Sequence, residues 1–120
     1  MPITRSSDVT LKKFEGGSEL QYLATPANGA AETELLRGLV PAGETFPPHS
    51  HDREEVVYFA AGSCRYTIGD DSGVVSAGDV AVIPAGVVHE FQALEDTDAL
   101  GVLPAGTKWF APDGSEMSLE

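Results

Sequence analysis

A chain of 120 residues with 42% hydrophobic side chains suffices for one domain around one core, and no apolar stretch approaches the roughly 20 residues that cross a bilayer as a helix. Nineteen Asp and Glu against seven Lys and Arg leave a net charge of −12, which repels polyanions and argues against nucleic acid or an anionic membrane as partner. A lone Cys64 excludes an internal disulfide and the first residues lack an apolar signal segment, so a reducing, cytoplasmic location is expected.

Residues 1–32 read as N-terminal strands and a loop. VTLKKFE (9–15) and LQYLAT (20–25) are short strands around a Gly16-Gly17-Ser18 turn, and Pro26-Ala27-Asn28-Gly29 is a loop. TELLRGLV (33–40) is the next strand. Ala, Glu and Leu around 30–36 also favour helix, but Gly38 and Pro41 cut that option too short. From Pro41 onward, turn signals recur every eight to twelve residues, the rhythm of a β-sandwich or barrel. Pro-Ala-Gly occurs at 41–43, 84–86 and 104–106, and each copy is expected to form a type I turn with Pro second and Gly fourth. Residues 69–73 form a hairpin loop, 76–79 a tight reversal and 99–103 the last strand. A tail at 105–120 carries the only tryptophan and is expected to fray at its end. The expected architecture is all-β, a small antiparallel barrel over 33–104 within a single domain, 1–120.

Two of the three histidines stand one residue apart in GETFPPHSHDREEVVYFAAG (43–62). Side chains of an extended strand alternate faces, so His49, His51 and Glu55 point one way and Ser50, Asp52 and Glu54 the other. Arg53 shares the parity of the histidines, so it reaches past them or the strand bends there. Two imidazoles and a carboxylate on one face can reach a common metal ion. The same parity sets Val57 and Phe59 beside Glu55, turns Cys64, Tyr66 and Ile68 inward, and puts Val87, His89, Phe91 and Ala93 opposite Val88, Glu90 and Gln92. An apolar interior with a polar patch at the histidines is the make-up of a small-molecule site.

The spacing resembles that of the cupins. Their first motif runs Gly, five residues, His-x-His, three or four residues, Glu, six residues, Gly, and Gly43, His49, His51, Glu55 and Gly62 match it. Their second runs Gly, five residues, Pro-x-Gly, two residues, His, three residues, Asn. Gly78, Pro84, Gly86 and His89 match that one, with Ala93 at the final position, which does not bind metal in the family. The resemblance implies a jelly-roll barrel in which His49, His51, Glu55 and His89 hold one divalent transition metal. Core histidines are ordinarily hydrogen-bonded packing residues, but here all three fall on ligand positions, and an inward Glu left unpaired would be a costly buried charge. Such a donor set suits Fe, Mn, Co, Ni, Cu or Zn, with one or two positions left for water, dioxygen or a chelating substrate.

Three functions are open to such a chain. The first is an oxygenase of the dioxygenase type, with iron as its ion, acting on a small organic molecule; the resemblance brings to mind cupins that act on flavonols and β-diketones. The second is a redox-neutral isomerase, lyase or decarboxylase using the metal as a Lewis acid. The third is a non-catalytic module sensing a small ligand or a metal. Tyr66, Phe91 and Phe59 are the candidate substrate contacts, with Arg37 as a carboxylate anchor if its strand turns it inward. Asp52 either orients a histidine or sits solvated, and Cys64 is read as a small buried hydrophobe. A homodimer is expected, with the N-terminal strands, Val56, Tyr58 and Val88 as contact elements.

Overall fold

The computed structural model describes residues 3–118. Its clearest strand, Glu55–Ala61, shows why strands form here: Glu55, Val57 and Phe59 are buried while Val56, Tyr58 and Ala60 face out, the period of a half-buried sheet. In chain order the strands are β1 (Lys12–Lys13), β2 (Glu19–Ala24), β3 (Thr33–Val40), β4 (Thr45–His51), β5 (Glu55–Ala61), β6 (Ser63–Ile68), β7 (Asp71–Ser76), β8 (Val80–Ile83), β9 (His89–Ala93), β10 (Thr97–Pro104), β11 (Trp109–Phe110) and β12 (Glu116–Met117). They make two six-stranded sheets, ordered β1-β2-β3-β10-β5-β8 and β12-β11-β4-β9-β6-β7, and every ladder between these strands is antiparallel. The barrel expected from the sequence is therefore a two-sheet jelly-roll sandwich.

The core lies between the sheets. Leu20, Leu36, Val57, Phe59, Ile83 and Leu103 come from one, and Phe46, Cys64, Val75, Phe91 and Trp109 from the other. Among the described residues, no helix is long and apolar enough to cross a membrane.

Several local expectations need correction. The strand foreseen at 9–15 shrinks to β1, and Ser6–Asp8 forms a single 3-10 turn, because the side chain of Gln21 holds this segment. Its Nε2 donates to the carbonyls of Ser6 (2.7 Å) and Val9 (3.0 Å), which keeps Gln21 buried next to Leu20. The Pro-Ala-Gly turns are type II: in each, Pro is first and accepts the bond from the residue three on, while Gly is third with φ of +85°, +80° or +82°. The hairpin loop at 69–73 is tighter than foreseen, since Ile68 already faces Asp71 and only Gly69 and Asp70 turn the chain. The tail holds two strands, with Trp109 buried; Leu119 and Glu120, where fraying was expected, lie outside the described residues.

Candidate metal centre

His49 and His51 stand on β4 and His89 opens β9, all in one sheet, whereas Glu55 opens β5 in the other. After His51 the chain bends through exposed Asp52, Arg53 and Glu54 and enters the opposite sheet at Glu55. Glu55 thus meets the histidines because the chain turns a corner between sheets, and the unbroken strand of the parity argument is not there. The bend also accounts for Arg53, which points to solvent. Glu54 is exposed and Glu90 half-buried, neither among the donors.

Local sequence sets the rings. Phe46 and His49 both face inward although three residues apart, because the β4–β9 register shifts between them. Pro47 and Pro48 occupy this irregularity, where a residue without an N–H breaks no ladder bond. The shift brings His49 opposite His89 and lets His49 Nδ1 donate to the Pro47 carbonyl at 2.9 Å. His89 repeats the arrangement, with Nδ1 donating to the Val87 carbonyl at 3.0 Å. A carbonyl only accepts, so Nδ1 bears a proton in both rings, and in the neutral form each ring leaves Nε2 as the free donor atom.

All four residues are buried. Glu55 Oε1 lies 3.3 Å from His51 Nε2 and 3.4 Å from His89 Nε2, longer than the about 2.7–2.9 Å of a charge-assisted hydrogen bond. Those two nitrogens and His51 Nδ1 have no hydrogen-bond partner, and each orphaned buried polar atom costs about 1–3 kcal/mol. A cation would satisfy the two Nε2 lone pairs and the carboxylate together. The four ligand atoms lie within 4.8 Å of one another, close to the spread around one ion bonded at about 2.0–2.2 Å. The residues fit a divalent transition metal, and the buried cluster suggests one.

Electrostatics prepare the same state. Burial alone would raise the Glu55 carboxyl, but the imidazoles of His51 and His89 outweigh it and hold the group at about 2. Burial, reinforced by His89 and His51, pulls His49 down to about 3 against the opposing pull of the Pro47 carbonyl and Glu55. A neutral imidazole and an ionised carboxylate are the forms that bind metal. Glu55 needs space as well as charge. A Cβ on Gly101 of β10 would sit 2.5 Å from Glu55 Oε2, so glycine there leaves the space that this carboxylate oxygen occupies.

Three of the donors face a cavity with about 60 Å³ of free space, room for about four to six waters at roughly 10–15 Å³ each. His49, Glu55 and His89 form part of its lining. The remaining walls are chiefly Leu20, Leu36, Val57, Phe59, Phe91 and Trp109. Phe59 and Phe91 meet edge to face at 5.4 Å. Tyr66 and Arg37 do not line this cavity. The Tyr66 hydroxyl donates to Asp71 at 3.2 Å, and Arg37 makes a two-pronged contact with Asp98 at 2.9 and 2.7 Å on the outer side of the sheet. Cys64 is fully buried, and burial pushes its thiol up. Asp52 holds no histidine; its carboxylate accepts the backbone N–H of Lys108 at 2.8 Å.

Sequence reasoning missed Trp109. The β4–β11 ladder sets it opposite His51, where its ring stacks on His49 (4.8 Å, 10°) and stands perpendicular to His51 (4.5 Å, 90°). An aromatic pair, Trp109-Phe110, in a polar tail was the available signal.

Comparison with known proteins places this geometry. Residues 37–103 match the family model described as "Cupin domain". An uncharacterized protein of Streptomyces coelicolor is 32% identical in an alignment 78 residues long that covers 58% of this chain and 74% of that protein. The polyketide cyclase RemF from Streptomyces resistomycificus has a TM-score of 0.79 at 23% identity, covering 100% of this chain and 87% of its own, a likeness of fold. Oxalate decarboxylase from Bacillus subtilis, studied for its Mn(II) centers, has a TM-score of 0.76 at 25% identity over 95% of this chain and 31% of that one.

Proposed function

The chain belongs to the cupin family, and from that premise we propose that it is a metal-dependent oxygenase, of the dioxygenase type, acting on a small uncharged organic molecule. One observation carries the reading: the cavity at the donors has apolar walls, and among the described residues Glu55 is the only carboxylate or basic side chain in them besides the histidines. No Lys or Arg lines it, so a substrate carboxylate would find no counter-charge, and no second acid or base is in place for redox-neutral proton transfer.

A divalent ion, iron in our reading, held by His49, His51, Glu55 and His89 supplies Lewis acidity and a centre at which dioxygen and substrate can meet. The chain's own residues do the rest. The apolar walls exclude water and take up an uncharged molecule. Phe59 and Phe91 present ring edges and faces that restrict how a flat substrate lies. Glu55, held ionised by His51 and His89, would bring negative charge to the ion.

The second reading, redox-neutral chemistry with the metal as Lewis acid, draws on the fold likeness to the polyketide cyclase, which spans the whole chain. Oxygen uptake by iron-loaded protein with a panel of β-diketones and flavonols separates the two. Uptake matched to product supports the oxygenase, and product without uptake supports the second. No product and no uptake, with a ligand nonetheless bound, would favour a sensing module. A homodimer is part of the proposal, formed through the uncharged outer cluster of Val56, Tyr58, Val80, Val82 and Val102, where Val56 neighbours both Val82 and Val102. Sedimentation of the wild type against Val82→Glu tests it, with a shift to monomer expected.

A further inference from the structure

The three histidines are not held alike. His49 and His89 each have Nδ1 tied to a carbonyl, which sets both the proton and the angle of the ring. Among the described residues His51 has no hydrogen-bond partner on either nitrogen, so beyond the 3.3 Å approach of Glu55 Oε1 only ring packing aims it. Its ring contacts are His49 at 4.9 Å, His89 at 5.2 Å and, nearest of the three, Trp109 at 4.5 Å and 90°. The same indole lies flat on His49. One side chain therefore touches two of the imidazoles and sets the angle between them.

Trp109 is itself well anchored. It stands opposite His51 in the β4–β11 ladder and opposite Met117 in the β11–β12 ladder, and Phe14 packs against it edge-on at 5.9 Å. The neighbouring Lys108 N–H is held by Asp52, in the bend that separates His51 from Glu55. The corner that brings Glu55 to the site thus also fastens the strand that carries the indole.

We infer that Trp109 is a positioning residue of the metal centre, doing for His51 by ring packing what the Pro47 and Val87 carbonyls do for His49 and His89. The inference rests on reading the four donors as a metal site.

The test compares wild type, Trp109→Phe and Trp109→Leu, each stripped of metal, titrated with Co(II), and checked for fold by circular dichroism. Visible absorption follows the ion's surroundings, and emission follows the indole, since the chain has one tryptophan. In wild type, one equivalent of Co(II) is expected to quench the emission as the visible bands grow. Trp109→Leu is expected to bind about 10–100-fold more weakly with shifted bands, as when ligand-orienting groups are lost, and Trp109→Phe to restore the band positions. A folded Trp109→Leu with wild-type affinity and wild-type bands overturns the inference. Wild-type bands that grow without quenching overturn it as well, and that result needs no variant to fold. A wild type that takes up no Co(II) overturns instead the metal reading beneath it.

Discussion

Gly101→Ala perturbs the donor cluster from outside it, through Glu55. The new Cβ would lie 2.5 Å from Glu55 Oε2, whereas an ordinary carbon–oxygen contact is about 3.3–3.6 Å, so the carboxylate must retreat by about 1 Å. Its other oxygen already faces His51 and His89, so any retreat shifts the carboxylate against those two rings. A misplacement of that size costs on the order of 10²-fold in turnover, and a disturbed ligand about 10–100-fold in metal affinity. If the backbone yields instead, overpacking costs about 1–3 kcal/mol of stability. Competition titration with a chromophoric chelator measures the affinity, and thermal melts of the metal-free protein measure the stability. Gly38→Ala is the control: it also lines the cavity, but its Cβ would meet only Phe46 at 3.7 Å, an ordinary contact. Gly101→Ala binding metal as tightly as Gly38→Ala, with neither destabilised, would refute the reasoning.

Other outcomes follow from the same coordinates. His51→Ala should abolish metal-induced stabilisation, which in wild type is about 2.7 kcal/mol when free ion is a hundredfold above Kd; an unchanged melting shift would contradict the ligand assignment. Acid should destabilise the metal-free protein. His49 is held at about 3 against an ordinary 6.5, and Glu55 at about 2 against 4.5, so the unfolded chain binds more protons than the folded one below 6.5. The contribution of His49 is complete above pH 6.5 and is lost at up to about 1.4 kcal/mol per pH unit down to about 3, joined by that of Glu55 below 4.5. Urea midpoints that stay flat from pH 7 to 4.5 would contradict this. Arg37→Ala should leave metal binding intact and cost at most about 1 kcal/mol, since Arg37 and Asp98 form a partly exposed pair away from the cavity; a large loss of affinity would place Arg37 in the site. Cys64 should resist thiol reagents until the protein unfolds, and rapid labelling of the native state would count against its burial.

The candidate donors were legible because fixed motif spacing survives whatever the backbone does between its residues. Strand parity assumes one extended segment, whereas the chain changes sheets at Asp52-Arg53-Glu54. Parity did well where a ladder is regular, as at Val57, Phe59 and Phe91. It failed to foresee the shift at Pro47-Pro48, which depends on register against β9. Tyr66 sits beside buried Cys64 in sequence but on a strand whose far end is half-exposed, and a local acceptor, Asp71, takes its hydroxyl. Trp109 and Gly101 were illegible for a common reason. Each matters through a neighbour more than forty residues away, and a single sequence without such pairings carries no sign of it.

The central claim is that the three imidazoles and one carboxylate share an ion. The most direct measurement is anomalous diffraction from crystals of protein purified without chelators or nickel affinity steps, collected at the absorption edges of the first-row metals. One peak per chain between His49, His51, Glu55 and His89, absent in His51→Ala, is the result expected. Crystals that show no peak there, even after soaking in Mn(II), Fe(II) or Co(II), would contradict the account and leave the cluster as buried packing.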